Sequence, residues 1–314
     1  MANFIKDVDE GLSKASKTLS SKYFYDKKGD ALFVEIMRMP EYYLTRAEFE
    51  ILQKQAVEIT KTLSLNPDTT FEIIELGAGD GEKTKEFIRY LMQENFKFKY
   101  MPVDISQNVL GILQNSMLKE FPNLKIAPMQ GDYFQVLEGI KHTHHPKLVL
   151  FLGSNIGNLK DENAQKFLKQ IGQKLSTGDH LLLGVDLIKP AEIVVPAYND
   201  AKGITAAFNL NILERINREL DGDFDLSAFH HEVDYTQELG IVKSYLVSNK
   251  DQKVYIGQIS KSYSFRKGER INTEISRKYN DAMIEKITRD TSFETKAKFT
   301  DSKGYFADYI LVKT

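Results

Sequence analysis

Apolar positions recur along this chain at two spacings, and the change from one to the other marks its elements. Between residue 31 and about residue 63 the spacing is helical. Leu32, Phe33, Ile36 and Met37 fall on one face, and Pro40 interrupts the run. Just beyond, PEYYLTRAEFEIL places Thr45 where it can cap a helix and Glu48 at the capping-box position, a local signal without chemistry. From residue 71 onward, short apolar runs alternate with helical stretches. Strands are expected at 71–76, 100–103, 124–129, 148–152 and 180–185, and helices at 84–95, 107–120 and 163–175. That alternation predicts an α/β fold with a parallel sheet covered on both faces. Past Pro190 the pattern changes to one or two helices over 199–218, then strand-like runs with polar breaks over 229–262. The tail, KAKFTDSKGYFADYILVKT, reads as an antiparallel hairpin turning near 301–304 that completes the sheet. Residues 1–20 are polar and expected to be loosely held.

Composition narrows the function classes. The 314 residues are 42% hydrophobic and 27% charged, as in a globular protein, and the formal net charge is -2. Nothing in that balance favours nucleic acid or an acidic membrane as partner. With no cysteine, disulfides, thiolate metal sites and cysteine nucleophiles are excluded, and no metal site is expected. The N-terminus lacks the apolar core of a signal peptide, and no later run reaches membrane-spanning length. A cytoplasmic protein, monomeric and acting on a small molecule, is expected.

Candidate chemistry collects where strands end, since ligands of parallel sheets bind beyond the strands' carboxyl ends. TFEIIELGAGDGEKTK brings Gly77, Gly79 and Gly81 directly after a strand, so that backbone can approach a ligand closely. Asp104 ends the next strand, where a carboxylate can accept from both hydroxyls of a ribose. NAD would use the same pairing. Glu75, Asp80 and Glu82 crowd the turn, however, and they repel a pyrophosphate but not a cationic sulfonium. Gly131-Asp132-Tyr133 adds an acceptor and an aromatic face for adenine. S-adenosylmethionine therefore fits better than NAD. In LFLGSNIGNL, Asn155 and Asn158 offer carboxamides that can grip a carboxylate without adding charge.

Taken together, SKYFYDKKGDALF, PEYYLTRAE, ELGAGDGEKT, PVDIS, FLGSNIGNL, AYNDAKGITAAFNLNIL and INTEISRKY resemble the histidine N-alpha-methyltransferase family. Its members make trimethylhistidine (hercynine), the first step towards ergothioneine. The resemblance implies a Rossmann-like class I methyltransferase core over 56–188 and 278–314, with an inserted α+β substrate-binding domain over 21–55 and 189–277. It assigns the S-adenosylmethionine site to Gly77, Gly79, Lys83, Asp104, Asp132 and Tyr133. The substrate carboxylate goes to Asn158 and Tyr198. Tyr25 would lie near the reacting amine as the catalytic phenol, Tyr42 would close the pocket, and Glu274 with Ser276 would hold the imidazole. Ser244 stands where the family often has methionine, and a smaller residue there enlarges the pocket. The alternatives are a related methyltransferase for another, aromatic amino acid, a protein that binds S-adenosylmethionine without turnover, and an NAD-linked oxidoreductase.

Overall fold

The computed structural model describes residues 2–131, 133–140 and 145–314. The chain forms two compact units, one from Met1–Tyr43 with Lys189–Ser276 and the other from Leu44–Ile188 with Arg277–Thr314. The boundary between the first two segments thus falls at residue 43, and the helix Tyr43–Lys54 runs on into the second unit.

The second unit is a seven-stranded sheet ordered Phe293–Thr300, Phe306–Lys313, His180–Asp186, Lys147–Phe151, Phe71–Leu76, Phe98–Asp104, Met129–Gln130. Phe306–Lys313 runs antiparallel to both its neighbours, and the remaining pairings are parallel. All six residues of Phe71–Leu76 are buried, because helices cover both faces and no solvent side is left. Ile73, Ile74 and Leu76 each contribute about 1.5–3 kcal/mol by leaving water. The third expected strand shrinks to Met129–Gln130 and an isolated bridge between Tyr100 and Ile126. It lies on the sheet edge, and Pro128 has no N–H to give to a ladder. After Phe71–Leu76 the chain builds outwards on one side, then returns to place Lys147–Phe151 on the other. That reversal opens a crevice at the strand ends, flanked by the turns after residues 76 and 151.

In the other unit, Arg270–Arg277 and Ile241–Ser248 are the central strands of a four-stranded sheet edged by Lys17–Thr18 and Phe229–Thr236. The helices Lys27–Arg38 and Ile204–Leu220 pack together, and Phe24, Ile36, Phe208 and Ile212 join Leu246 and Ile271 in one apolar cluster. Residues near the N-terminus are not loose: Ala2–Leu12 is a helix. Phe4, Val8 and Leu12 recur every fourth position, and all three are buried in that cluster. A single apolar stripe on an otherwise polar helix is hidden by average composition but suffices for docking. Asp7 accepts from Tyr23 and Asp9 from Tyr263, which fixes the polar side as well.

Candidate active site

The turn after Phe71–Leu76 is held open by conformation and crowding together. Gly77, Gly79 and Gly81 have φ of 72°, 56° and 68°, the left-handed region that disfavours a side chain. A Cβ on Gly77 would stand 2.7 Å from Tyr133 Oη, and one on Gly81 2.3 Å from Leu113 Cδ1. A Cβ on Gly79 would meet nothing within 4 Å among the described residues. Gly77 N–H donates to the Val103 carbonyl at 2.8 Å, which ties the turn to the strand that ends in Asp104. The Asp104 carboxylate accepts from Ser106 N–H at 2.9 Å and also from the backbone of Gly79 and Ile105. Burial raises its pKa, and those three N–H groups oppose the rise. Gly131 N–H reaches the Asp104 carbonyl at 3.1 Å, and Tyr133 then opens the helix Tyr133–Ile140 with its ring edge-on to Phe151 and Phe167. Gly77, Gly79, Asp104 and Tyr133 are therefore neighbours. Asp132 lies outside the described residues.

The acidic character expected of the turn is distributed differently. Glu75 points into the protein, where it accepts from Thr84 and Tyr100, and burial lifts its pKa to about 7. Asp80 accepts from Glu82 N–H at the head of the helix Glu82–Gln93, and Glu82 pairs with Lys85. A strand residue next to a turn must point to one face of the sheet, and with helices over both faces Glu75 has no solvent side to reach.

Glu48 is the residue that the capping reading misplaced. The helix begins at Tyr43, so Thr45 lies inside its first turn and cannot be the cap. Glu48 is fully buried. Its two oxygens accept from Gly153 N–H at 2.9 Å each, and it pairs with Lys83, expected at the donor site. Lys83 remains charged: burial works against the ammonium, but the surrounding acids, Glu48 foremost, outweigh it together and the pKa is raised. The signal was present in the sequence. Leu44, Ala47, Ile51 and Leu52 form the apolar stripe of this helix, and Glu48 sits within that stripe.

Gly153 begins the second turn of the crevice. Ser154 is left-handed, with φ 58°, and its Oγ accepts from Asp186 N–H at 3.0 Å. Asp186 in turn forms a wholly buried ion pair with Lys278 at 2.8 Å. Tyr279 Oη donates to the Ile156 carbonyl, and a Cβ on Gly157 would meet the Arg277 carbonyl at 2.7 Å. These contacts fix the 3-10 turn Asn155–Asn158 and leave Asn158 exposed at its end.

In the other unit, Tyr198 closes the helix Ala191–Tyr198, and its Oη lies 2.9 Å from Ser276 Oγ. Ser276 and Glu274 are two apart on Arg270–Arg277. Tyr25 and Tyr42 both meet Phe33 edge-on, at 5.6 and 6.5 Å between ring centroids. Ser244 is buried on the adjoining strand, and its Oγ has no partner among the described residues. Its carbonyl accepts from Asn272 and Thr273, which flank Glu274 on the N-terminal side.

Known proteins match this chain over nearly its whole length. The family model described as histidine-specific, S-adenosylmethionine-dependent methyltransferase covers residues 4–313. Histidine N-alpha-methyltransferase of Mycolicibacterium smegmatis is 35% identical over 308 residues, which are 98% of this chain and 94% of that protein. The Mycobacterium tuberculosis enzyme of the same name is 35% identical over 301 residues, 96% and 92% of the two chains. An L-tryptophan methyltransferase of Psilocybe serbica is 28% identical over 327 residues, 95% and 89%. Running through both units from the first helix to the last strand, these matches make the chain a member of the histidine-specific, S-adenosylmethionine-dependent methyltransferases.

Proposed function

We propose that this enzyme transfers three methyl groups in succession to the α-amino nitrogen of L-histidine, giving trimethylhistidine. The observation that carries the proposal is the near-full-length match to two histidine N-alpha-methyltransferases. Residues of the core suit the donor. Asp104 offers a carboxylate to a ribose, Tyr133 an aromatic ring, and Gly79 an approach that no side chain among the described residues obstructs. Lys83 supplies the cation that a donor carboxylate requires, and Asp132 completes the set.

S-adenosylmethionine supplies a methyl group on a sulfonium, and the chain's own work is to present a neutral amine in line with it. Positioning of this kind accounts for most of the acceleration, so no strong base is needed. Tyr25 orients the amine, whose proton passes to solvent, and desolvation favours the neutral form. Asn158 and Tyr198 take the substrate carboxylate, Glu274 and Ser276 take the imidazole, and Tyr42 covers the substrate. The test is mass spectrometry of an amino-acid mixture incubated with enzyme and S-adenosylmethionine. Trimethylation of histidine alone supports the reading. Preferential methylation of tryptophan or tyrosine would overturn it and turn attention to the small Ser244.

A further inference from the structure

Beneath the crevice of the methyltransferase core lies a group of buried ionisable side chains that donor binding and methyl transfer leave unexplained. Glu48 and Asp308 are both wholly buried and converge on Gly184. A Cβ there would be 2.0 Å from Glu48 Oε1 and 3.1 Å from Asp308 Oδ1, so only glycine leaves them room. Lys83 faces both acids, from the first turn of the helix that follows the glycine turn. Glu75 adds a third carboxyl nearby, but Thr84 and Tyr100 hold it.

The charges can be assigned. Two buried carboxylates side by side cannot both ionise beside one ammonium without a large desolvation cost. Burial and the neighbouring Glu48 push the pKa of Asp308 well above the usual carboxylate range. Neither Asp308 oxygen is within reach of a donor among the described residues, as a carboxylate would require. A protonated Asp308 instead donates to Glu48. Glu48 is then the anion, and it spends its oxygens on Lys83, on Gly153 N–H and on Asp308.

We propose that Glu48 is a positioning residue of the donor site, fixing the Lys83 ammonium and the Gly153 turn in one arrangement, with Asp308 as its proton-bearing support. The proposal rests on the assignment of Lys83 to the donor site. Glu48 touches no substrate. It acts by presetting the cation that meets the donor's carboxylate, so that little rearrangement is left for binding.

Calorimetry with S-adenosylhomocysteine, together with KM for both substrates and thermal melting, tests this. Glu48→Gln keeps an acceptor for Gly153 N–H but removes the counter-charge of Lys83. Donor affinity should fall about tenfold or more, the usual size for a lost charged hydrogen bond. KM for histidine should change by less than about threefold. In the Lys83→Met background Glu48→Gln should add little, because the two residues act as one unit. Asp308→Asn, which mimics the protonated acid, should keep donor affinity within about threefold of the parent. Unchanged affinity in folded Glu48→Gln, or full additivity with Lys83→Met, would overturn the proposal. Should Glu48→Gln fail to fold, Glu48→Asp enters the same cycle, since shortening the acid must still act through Lys83. Unchanged affinity in Lys83→Met alone would instead remove Lys83 from the donor site.

Discussion

The hydroxyls of Tyr198 and Ser276 lie 2.9 Å apart in a buried setting, although 78 residues separate them in sequence. Each was assigned to a different end of the substrate, and the hydrogen bond makes them one element. Tyr198→Phe leaves Ser276 without this partner and should cost histidine about 0.5–1.5 kcal/mol in kcat/KM. Ser276→Ala in the same background should add less than it does alone. Steady-state kinetics of the four proteins reads the coupling, and strict additivity would mean that the pair does not act as a unit.

Asp104 accepts from three backbone N–H groups, so its removal also loosens the turn and the comparison requires a variant shown to be folded. Asp104→Ala is expected to weaken S-adenosylmethionine binding by about 1.5–3 kcal/mol, the range for charged hydrogen bonds. Calorimetry on the folded variant is the measurement, and an unchanged affinity takes Asp104 out of the site.

Gly77 has two reasons to be glycine, its φ of 72° and the Tyr133 hydroxyl beside it. Gly77→Ala should cost about 1–2 kcal/mol from conformation alone and displace Tyr133 besides. Donor binding should suffer more than melting temperature, because the turn is local and the ring it displaces belongs to the site. A variant with parental donor affinity would contradict this.

Glu274 should select the side chain of the substrate. Glu274→Ala is expected to cost histidine about 1.5–3 kcal/mol in kcat/KM. Tryptophan and tyrosine should lose less, since the carboxylate that rejects them is gone. Measuring all three substrates decides the matter. A uniform drop would assign Glu274 to the fold.

His231 carries a pH dependence of stability. Burial lowers its pKa from 6.5 to about 4, with His230 acting in the same direction and Asp200 and Glu232 opposing. The unfolded chain therefore binds a proton between those values that the folded chain refuses. Stability from this residue is complete above the unfolded value and falls as the pH drops towards 4, by on the order of 3 kcal/mol. His231→Phe should flatten that acid limb in thermal melts from pH 7 to pH 4. An identical limb in both proteins would assign acid sensitivity to other groups.

Period and punctuation in the sequence determined the α/β core, the closing hairpin and the turns at which chemistry could collect. Those features are local: alternation, apolar runs and glycine spacing act within a few residues, so Gly77, Asp104 and Tyr133 could be named from their own strand ends. The family motifs supplied Lys83, Tyr198, Glu274 and Ser276, whose types alone would not distinguish them from ordinary surface or core residues. Only the tertiary structure decided which polar groups are removed from water and what answers them there. Glu75 looked like a charge on the turn, but it faces inwards and its carboxyl titrates near 7. Glu48 looked like half of a helix cap, yet it pairs with Lys83 and accepts from Gly153, which lies 105 positions further along the chain. Ala2–Leu12 looked loose, because three apolar residues in a polar stretch mean little until a surface exists to receive them. In each case the deciding quantity is the cost of burying a group, which depends on neighbours distant in sequence.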